Sequence, residues 1–175
     1  PVEVMFLQLG SAVFELFDTR IANRPSNVVL EMIDAAALLW RLELRGIKVG
    51  DRWAALADAW EPHAAAGHYA FNDVHAAMAF LHAGRSSALS NLLGAQREAI
   101  VRADDNALFT RQVGAPMTRA LVDFHQGNYR DAARQLRLIR NGAALFGGSH
   151  AQRDLLDLTL LEAARRQGDT QLHAA

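Results

Sequence analysis

A chain of 175 residues that is 51% hydrophobic and 21% charged is long enough for one compact domain or a short repeat array, and too apolar to stay unfolded. A net charge of −1 leaves no basic surplus to neutralise a phosphate backbone, so nucleic acid is not expected as a partner. The absence of cysteine removes disulfides, thiolate metal sites and cysteine nucleophiles together. Alanine and leucine dominate, prolines number four and β-branched residues are few, a balance that favours helix over sheet. No apolar run exceeds the length of Ala35 to Trp40, far short of the roughly 20 residues that cross a bilayer. No signal-peptide pattern is present, so the expectation is a cytoplasmic protein with no membrane partner.

In chain order, Val2 to Leu9 is apolar at most positions and ends at Gly10. Ala12 to Ala22 follows, with Val13, Phe14, Leu16, Phe17 and Ile21 at helical spacing. Asn23 to Asn27 reads as a turn, in which Ser26 or Asn27 is placed to cap a helix from Val28 to Arg45 that stops at Gly46. Gly50-Asp51 opens a short helix with Trp53, Leu56, Ala57 and Trp60, closed by Pro62. A helix from His68 to Ala83 ends at Gly84, and another from Ser86 to Ala103 is broken by Asp104-Asp105-Asn106. Ala115 to Gln126 stops at Gly127. Asn128 to Arg140 then carries Tyr129, Ala132, Ala133, Leu136 and Ile139 on one stripe. Gly147-Gly148 is a loop, and Ser149 to Gln167 is the last full helix.

Gly10, Gly46, Gly84, Gly127 and Gly168 lie 36, 38, 43 and 41 residues apart, each after one amphipathic helix and just before another. A period of this size with a helix pair per period is the signature of a helical solenoid. Glycine suits the hairpin turn because it adopts the left-handed conformation at little cost. The segment A-L-V-D-F-H-Q-G-N-Y-R-D-A-A-R-Q-L, residues 120 to 136, fits a tetratricopeptide pattern: Ala120 lets helices approach, and Tyr129 and Ala132 pack the second helix on the first. The expectation is an all-α superhelix, a tetratricopeptide-like solenoid of about five helical hairpins with incomplete terminal repeats. Its approximate repeats are 1–25, 26–66, 67–106, 107–147 and 148–175.

Four phrases carry a resemblance to a known family: D-A-A-A-L-L-W-R-L-E-L (34–44), V-G-D-R-W (49–53), G-H-Y-A-F-N-D-V-H-A-A-M-A-F (67–80) and G-G-S-H-A-Q-R-D (147–154). They resemble the tetratricopeptide repeat protein 38 family, with similarity through nearly the whole chain and weakest in its first 25 residues. Members of that family are longer, so the resemblance implies a C-terminal portion that starts and ends inside repeats. It also implies a soluble α-solenoid, and no established reaction.

His68, His75 and His82 recur every seven residues, one face of a helix. Neighbours are then about 10 Å apart, too far to ligate one metal. No H-E-x-x-H pattern is present, so neither metal nor cofactor is expected. Asn72 and Asp73 suit N-capping, and Ser149 with Gln152 has the form of a capping box. Arg153 is placed to pair with Asp73 or Asp157. Trp40, Trp53 and Trp60 read as inter-helix packing. No nucleophile elbow or phosphate loop occurs, and with Lys48 the only lysine a carboxylate clamp is unlike this chain.

If first helices line a concave surface, two polar clusters face each other across it. They form a candidate binding site of His68, Asn72, Asp73, His75, His150, Gln152, Arg153 and Asp154. The function expected is a binding or scaffolding module that presents a groove to a protein or peptide partner. The alternative is an enzyme using the His/Asp/Arg cluster for acid–base work on a small polar substrate. Apolar faces left open by incomplete terminal repeats suggest dimerisation through an end.

Overall fold

Helices account for all the regular secondary structure that the computed structural model assigns among the described residues, which are 28–168 together with Ala12, Phe14, Glu15, Phe17 and Asp18. The expected helix at Val2–Leu9, Gly10, the caps Ser26 and Asn27, and the chain after Gly168 lie outside them. The helices are α1 (Val29–Leu44), α2 (Arg52–Trp60), α3 (Ala70–His82), α4 (Ser86–Ala99), α5 (Asp105–Phe109), α6 (Ala115–His125), α7 (Tyr129–Ile139) and α8 (His150–Gln167). Short 3₁₀ segments cover Glu61–His63 and Arg140–Phe146.

The organising element is α3. It packs against α1, α2, α4 and α6, and of its thirteen residues only Asn72 and His82 escape full burial. Its sequence is apolar on nearly every face, as a helix surrounded by others must be. Phe71, Val74 and Met78, with Met117 and Leu121 of α6, are all buried in the core.

The last helix returns to the first. Trp40 Nε1 donates to Thr159 Oγ1 at 2.9 Å, and Arg41 bonds the Ala151 carbonyl and Asp154, so α8 is fastened along α1. α6, α7 and α8 follow as an antiparallel succession, each packed on the next.

Four expected glycine turns hold in detail. Gly46, Gly84, Gly127 and Gly168 all have φ between 66° and 83° at helix C-termini. The Ser149–Gln152 capping box forms, with Ser149 Oγ accepting from Gln152 N and Gln152 Oε1 accepting from Ser149 N.

Three expectations are corrected. α3 begins at Ala70, after an extended Tyr69, and neither Asn72 nor Asp73 caps it. The acceptor at its start is Asn106 Oδ1, which takes the Ala70 N–H at 2.9 Å from 36 residues away. A cap borrowed from a distant loop leaves no local pattern. The helix after Ser86 stops at Ala99, four residues early.

The third correction concerns the break at Asp104-Asp105-Asn106 and the stretch up to Ala115, to which the sequence reading assigns no helix and which is helical from Asp105 onward. Asp104 caps it through Ala107 N. A π-turn over Thr110–Gly114 then joins α5 to α6, with the Ala115 N–H reaching back to the Thr110 carbonyl. That wider step carries the helix through to Pro116, which has no N–H to offer. Gly114 within it marks a close crossing, because a Cβ there would sit 2.7 Å from Ala70 Cβ.

Candidate functional site

Tyr69, Asn72, Asp73 and Ala76 occupy one face of the start of α3, at the i, i+3, i+4, i+7 spacing of a helical stripe. Val29 of α1, Trp60 of α2, His63, Ala66 and His68 complete the walls of a cleft of about 220 Å³. The loop beneath it is held from the other side: the Gly67 carbonyl accepts from Arg102 Nη1 at 2.7 Å and from Asn106 Nδ2 at 3.1 Å.

Two of the lining residues carry a polar atom that is closed to solvent and has no partner. Asp73 is 7% exposed, and its Oδ2 makes no hydrogen bond. Trp60 is 1% exposed, and its indole N–H is likewise unpaired. Burial pushes the Asp73 carboxyl up to about 6, with the Gln96 amide and the Arg102 charge offsetting part of the effect. Behind it Gln96 Nε2 donates to Thr118 Oγ1 at 3.0 Å, and Thr118 donates to the Gly114 carbonyl at 3.0 Å. His68 is exposed and Asn72 half-buried at the mouth.

His75 lies on another face, inside the core. It is 1% exposed, its Nδ1 donates to the Phe71 carbonyl at 2.8 Å, and its ring centroid is 4.5 Å from that of Phe71. Burial holds its pKa down to about 4; the Phe71 bond opposes this and the Arg41 charge adds to it. Its Nε2 is buried without a partner.

The second cluster does not meet the first in the cleft. None of His150, Gln152, Arg153 and Asp154 lines it. Arg153 folds onto the Gly148 carbonyl and approaches His150 Nδ1 at 3.4 Å, pairing with neither Asp73 nor Asp157. Asp157 is taken by Arg140 at 2.7 Å, and Asp154 by Arg41. Gln152 approaches Asp34 at 3.5 Å.

The link between the clusters is structural. Arg41 touches the start of α8 and acts on His75. The Gly147–Gly148 loop lies so close on Tyr69 and Phe71 that any side chain at either glycine would collide with those rings.

His82 packs half-buried among aromatic side chains. Its ring stacks on Trp53 at 4.8 Å and meets Trp40 and His125 edge-on at 5.3 and 5.0 Å. Burial and the neighbouring His125 lower its pKa to about 4. Arg166 closes the cluster over the Phe124 and Tyr129 rings while bonded to Glu162 at 2.7 Å. Among the described residues no group of three or more acidic or histidine side chains is placed to hold a metal.

Arg41, His63, Gln96, Arg102 and Asn106 build or brace these sites and escape sequence reading, because each acts across 30 residues or more or lies in an unremarkable segment. The triplet Asp104-Asp105-Asn106 offers the one legible signal, as a polar break with side chains suited to capping. No family model matches the chain, and no solved structure matches it.

Proposed function

We propose that this chain is a tetratricopeptide-like helical-repeat binding module, cytoplasmic in location, that holds a protein or peptide partner by one polar group seated in the cleft at the start of α3. The observation that carries this reading is a cleft of about 220 Å³ that gathers Asn72, Asp73, His63 and His68 on its walls, with Asp73 only 7% exposed. The volume lies below the roughly 300 Å³ at which drug-sized sites begin and suits a single side chain.

Helix pairs that close at left-handed glycines support the repeat reading, and the four phrases named above support membership of the tetratricopeptide repeat protein 38 family. Acid–base catalysis draws support from the raised Asp73 pKa alone, since neither His63 nor His68 is hydrogen-bonded to that carboxyl. An array of synthetic peptides tests the proposal, probed with the chain and with Asn72→Trp, which fills the mouth. Peptides retained by the wild type are expected to bind at least tenfold more weakly to the variant. An array that retains nothing, or retention that Asn72→Trp leaves unchanged, overturns it.

A further inference from the structure

Charge is spread unevenly along this chain. Between Tyr129 and Gln167 seven arginines stand against four carboxylates, a surplus of three where the whole chain carries −1. Those four carboxylates are all committed. Asp154 bonds Arg41 of α1, Asp157 bonds Arg140, and Glu162 holds both Arg165 and Arg166. Asp131 reaches Arg134 at 2.9 Å, and none of the four is bonded to Arg130.

Arg130, Arg134 and Arg137 follow one another at i, i+4 and i+7 along α7, so they share one face, with Leu138 beside them. All four are exposed, Leu138 to 80%. They line an open groove of about 510 Å³ whose other walls are Ala133 and the end of α8 at Gln167 and Gly168. Among the described residues no carboxylate lines it. The side chains of Arg134 and Asp131 are 72% and 54% exposed, and a pair so open to water contributes little and exchanges readily. Arg137 has an interaction within the chain, so it adds charge to the stripe without being counted as a free donor.

We propose that this face of α7 docks an acidic segment of a partner protein, with carboxylates on Arg130 and Arg134 in the field of Arg137 and an apolar side chain over Leu138. Guanidinium groups take carboxylates in paired hydrogen bonds, which favours this class of ligand. The stripe is about two turns long and is flanked by Asp131, Asp157 and Glu162, too short a basic track to follow a phosphate backbone. One exposed leucine is likewise too little apolar area to anchor in a lipid surface. The groove shares no lining residue with the cleft at the start of α3, so the two surfaces can be tested apart.

The test measures fluorescence anisotropy of three labelled peptides titrated with the whole chain. One has glutamates flanking a central leucine, the second has glutamine for every glutamate, and the third has serine for the leucine. The first is expected to bind saturably and to weaken about tenfold as salt rises from about 0.05 to about 0.5 M. The glutamine peptide is expected to bind about tenfold more weakly than the first, and the serine peptide about threefold. Arg130→Gln with Arg134→Gln is expected to cost about tenfold, and Arg130→Lys with Arg134→Lys to cost less, with circular dichroism verifying both folds. Asn72→Trp is expected to change nothing.

No saturable binding below about 1 mM peptide overturns the docking surface. So does equal binding of either control peptide, or an affinity that the paired glutamine variant keeps. Oligothymidylate or phosphatidylserine vesicles bound as tightly as the glutamate peptide would also overturn it, in favour of a nucleic acid or a membrane. Loss on Asn72→Trp with none on the arginine variants would assign the peptide to the α3 cleft and remove this surface.

Discussion

Trp40 and Thr159 are 119 residues apart in sequence and joined by a buried 2.9 Å hydrogen bond. Thr159 Oγ1 accepts from the indole and donates to the Leu155 carbonyl at 2.6 Å, so its one proton is committed to its own helix. Through this pair α8 closes onto α1 beside the Arg41 contacts, and α3 is left enclosed.

Thr159→Val keeps the shape and removes the acceptor, leaving a buried indole N–H unpaired. The expected loss is about 1–3 kcal/mol in urea unfolding. A variant as stable as the wild type would mean that the closure of α8 on α1 rests on packing alone.

Gly114→Ala tests the crossing of α3 with the π-turn. The added methyl meets Ala70 Cβ at 2.7 Å, and both residues are enclosed by backbone, so the helices must part. Overpacking of this kind costs about 1–3 kcal/mol. In a double-mutant cycle with Ala70→Gly part of that loss is expected to return, and strict additivity would count against the contact.

The Asp73 carboxyl is raised from 3.8 to about 6, so the folded state holds its proton more tightly than the unfolded state does. Stability from this group is therefore present at low pH and lost as pH rises from about 4 through 6. The deficit above pH 6 is of the order of 3 kcal/mol. Asp73→Asn, uncharged at every pH, is expected to be more stable than the wild type at pH 8, with about half of that gain gone at pH 5. Urea melts at the two pH values measure it, and a gain independent of pH would contradict the burial argument.

His75 runs in the opposite sense. Its pKa is lowered to about 4, so the unfolded chain takes up its proton first and stability falls as pH drops from 6.5 through 4. His82 adds a parallel loss. Because Arg41 contributes to holding the His75 proton off, Arg41→Met is expected to raise the His75 pKa, read from its imidazole NMR titration. An unchanged titration would place Arg41 too far away to matter. The same variant loses its bonds to Ala37, Ala151 and Asp154 and should loosen the start of α8.

The elements most legible in the sequence are those whose cause is local. The stripe Tyr129, Ala132, Ala133, Leu136, Ile139 became α7, and Ser149-x-x-Gln152 became the capping box of α8, since both depend only on residues within one or two turns. The helix from Asp105 through Gly114 goes unassigned from the sequence, because Asp104-Asp105-Asn106 reads as a break with no helix before Ala115. Its wider turn absorbs the missing N–H, and its glycine answers to Ala70 on another helix.

Most of the helices, four of the left-handed glycine turns and the apolar character of α3 were determined by the sequence alone, through periodicity and the conformational freedom of glycine. Which residues share a surface was decided only by tertiary structure. His68, Asn72 and Asp73 share a cleft with Trp60 and His63, whereas His75, a few residues on, turns into the core and His150–Asp154 are spent on Arg41 and the Gly147–Gly148 loop. The physical reason is that spacing along one helix assigns a face, while the partner of that face depends on how distant helices pack and on which buried groups they leave unpaired.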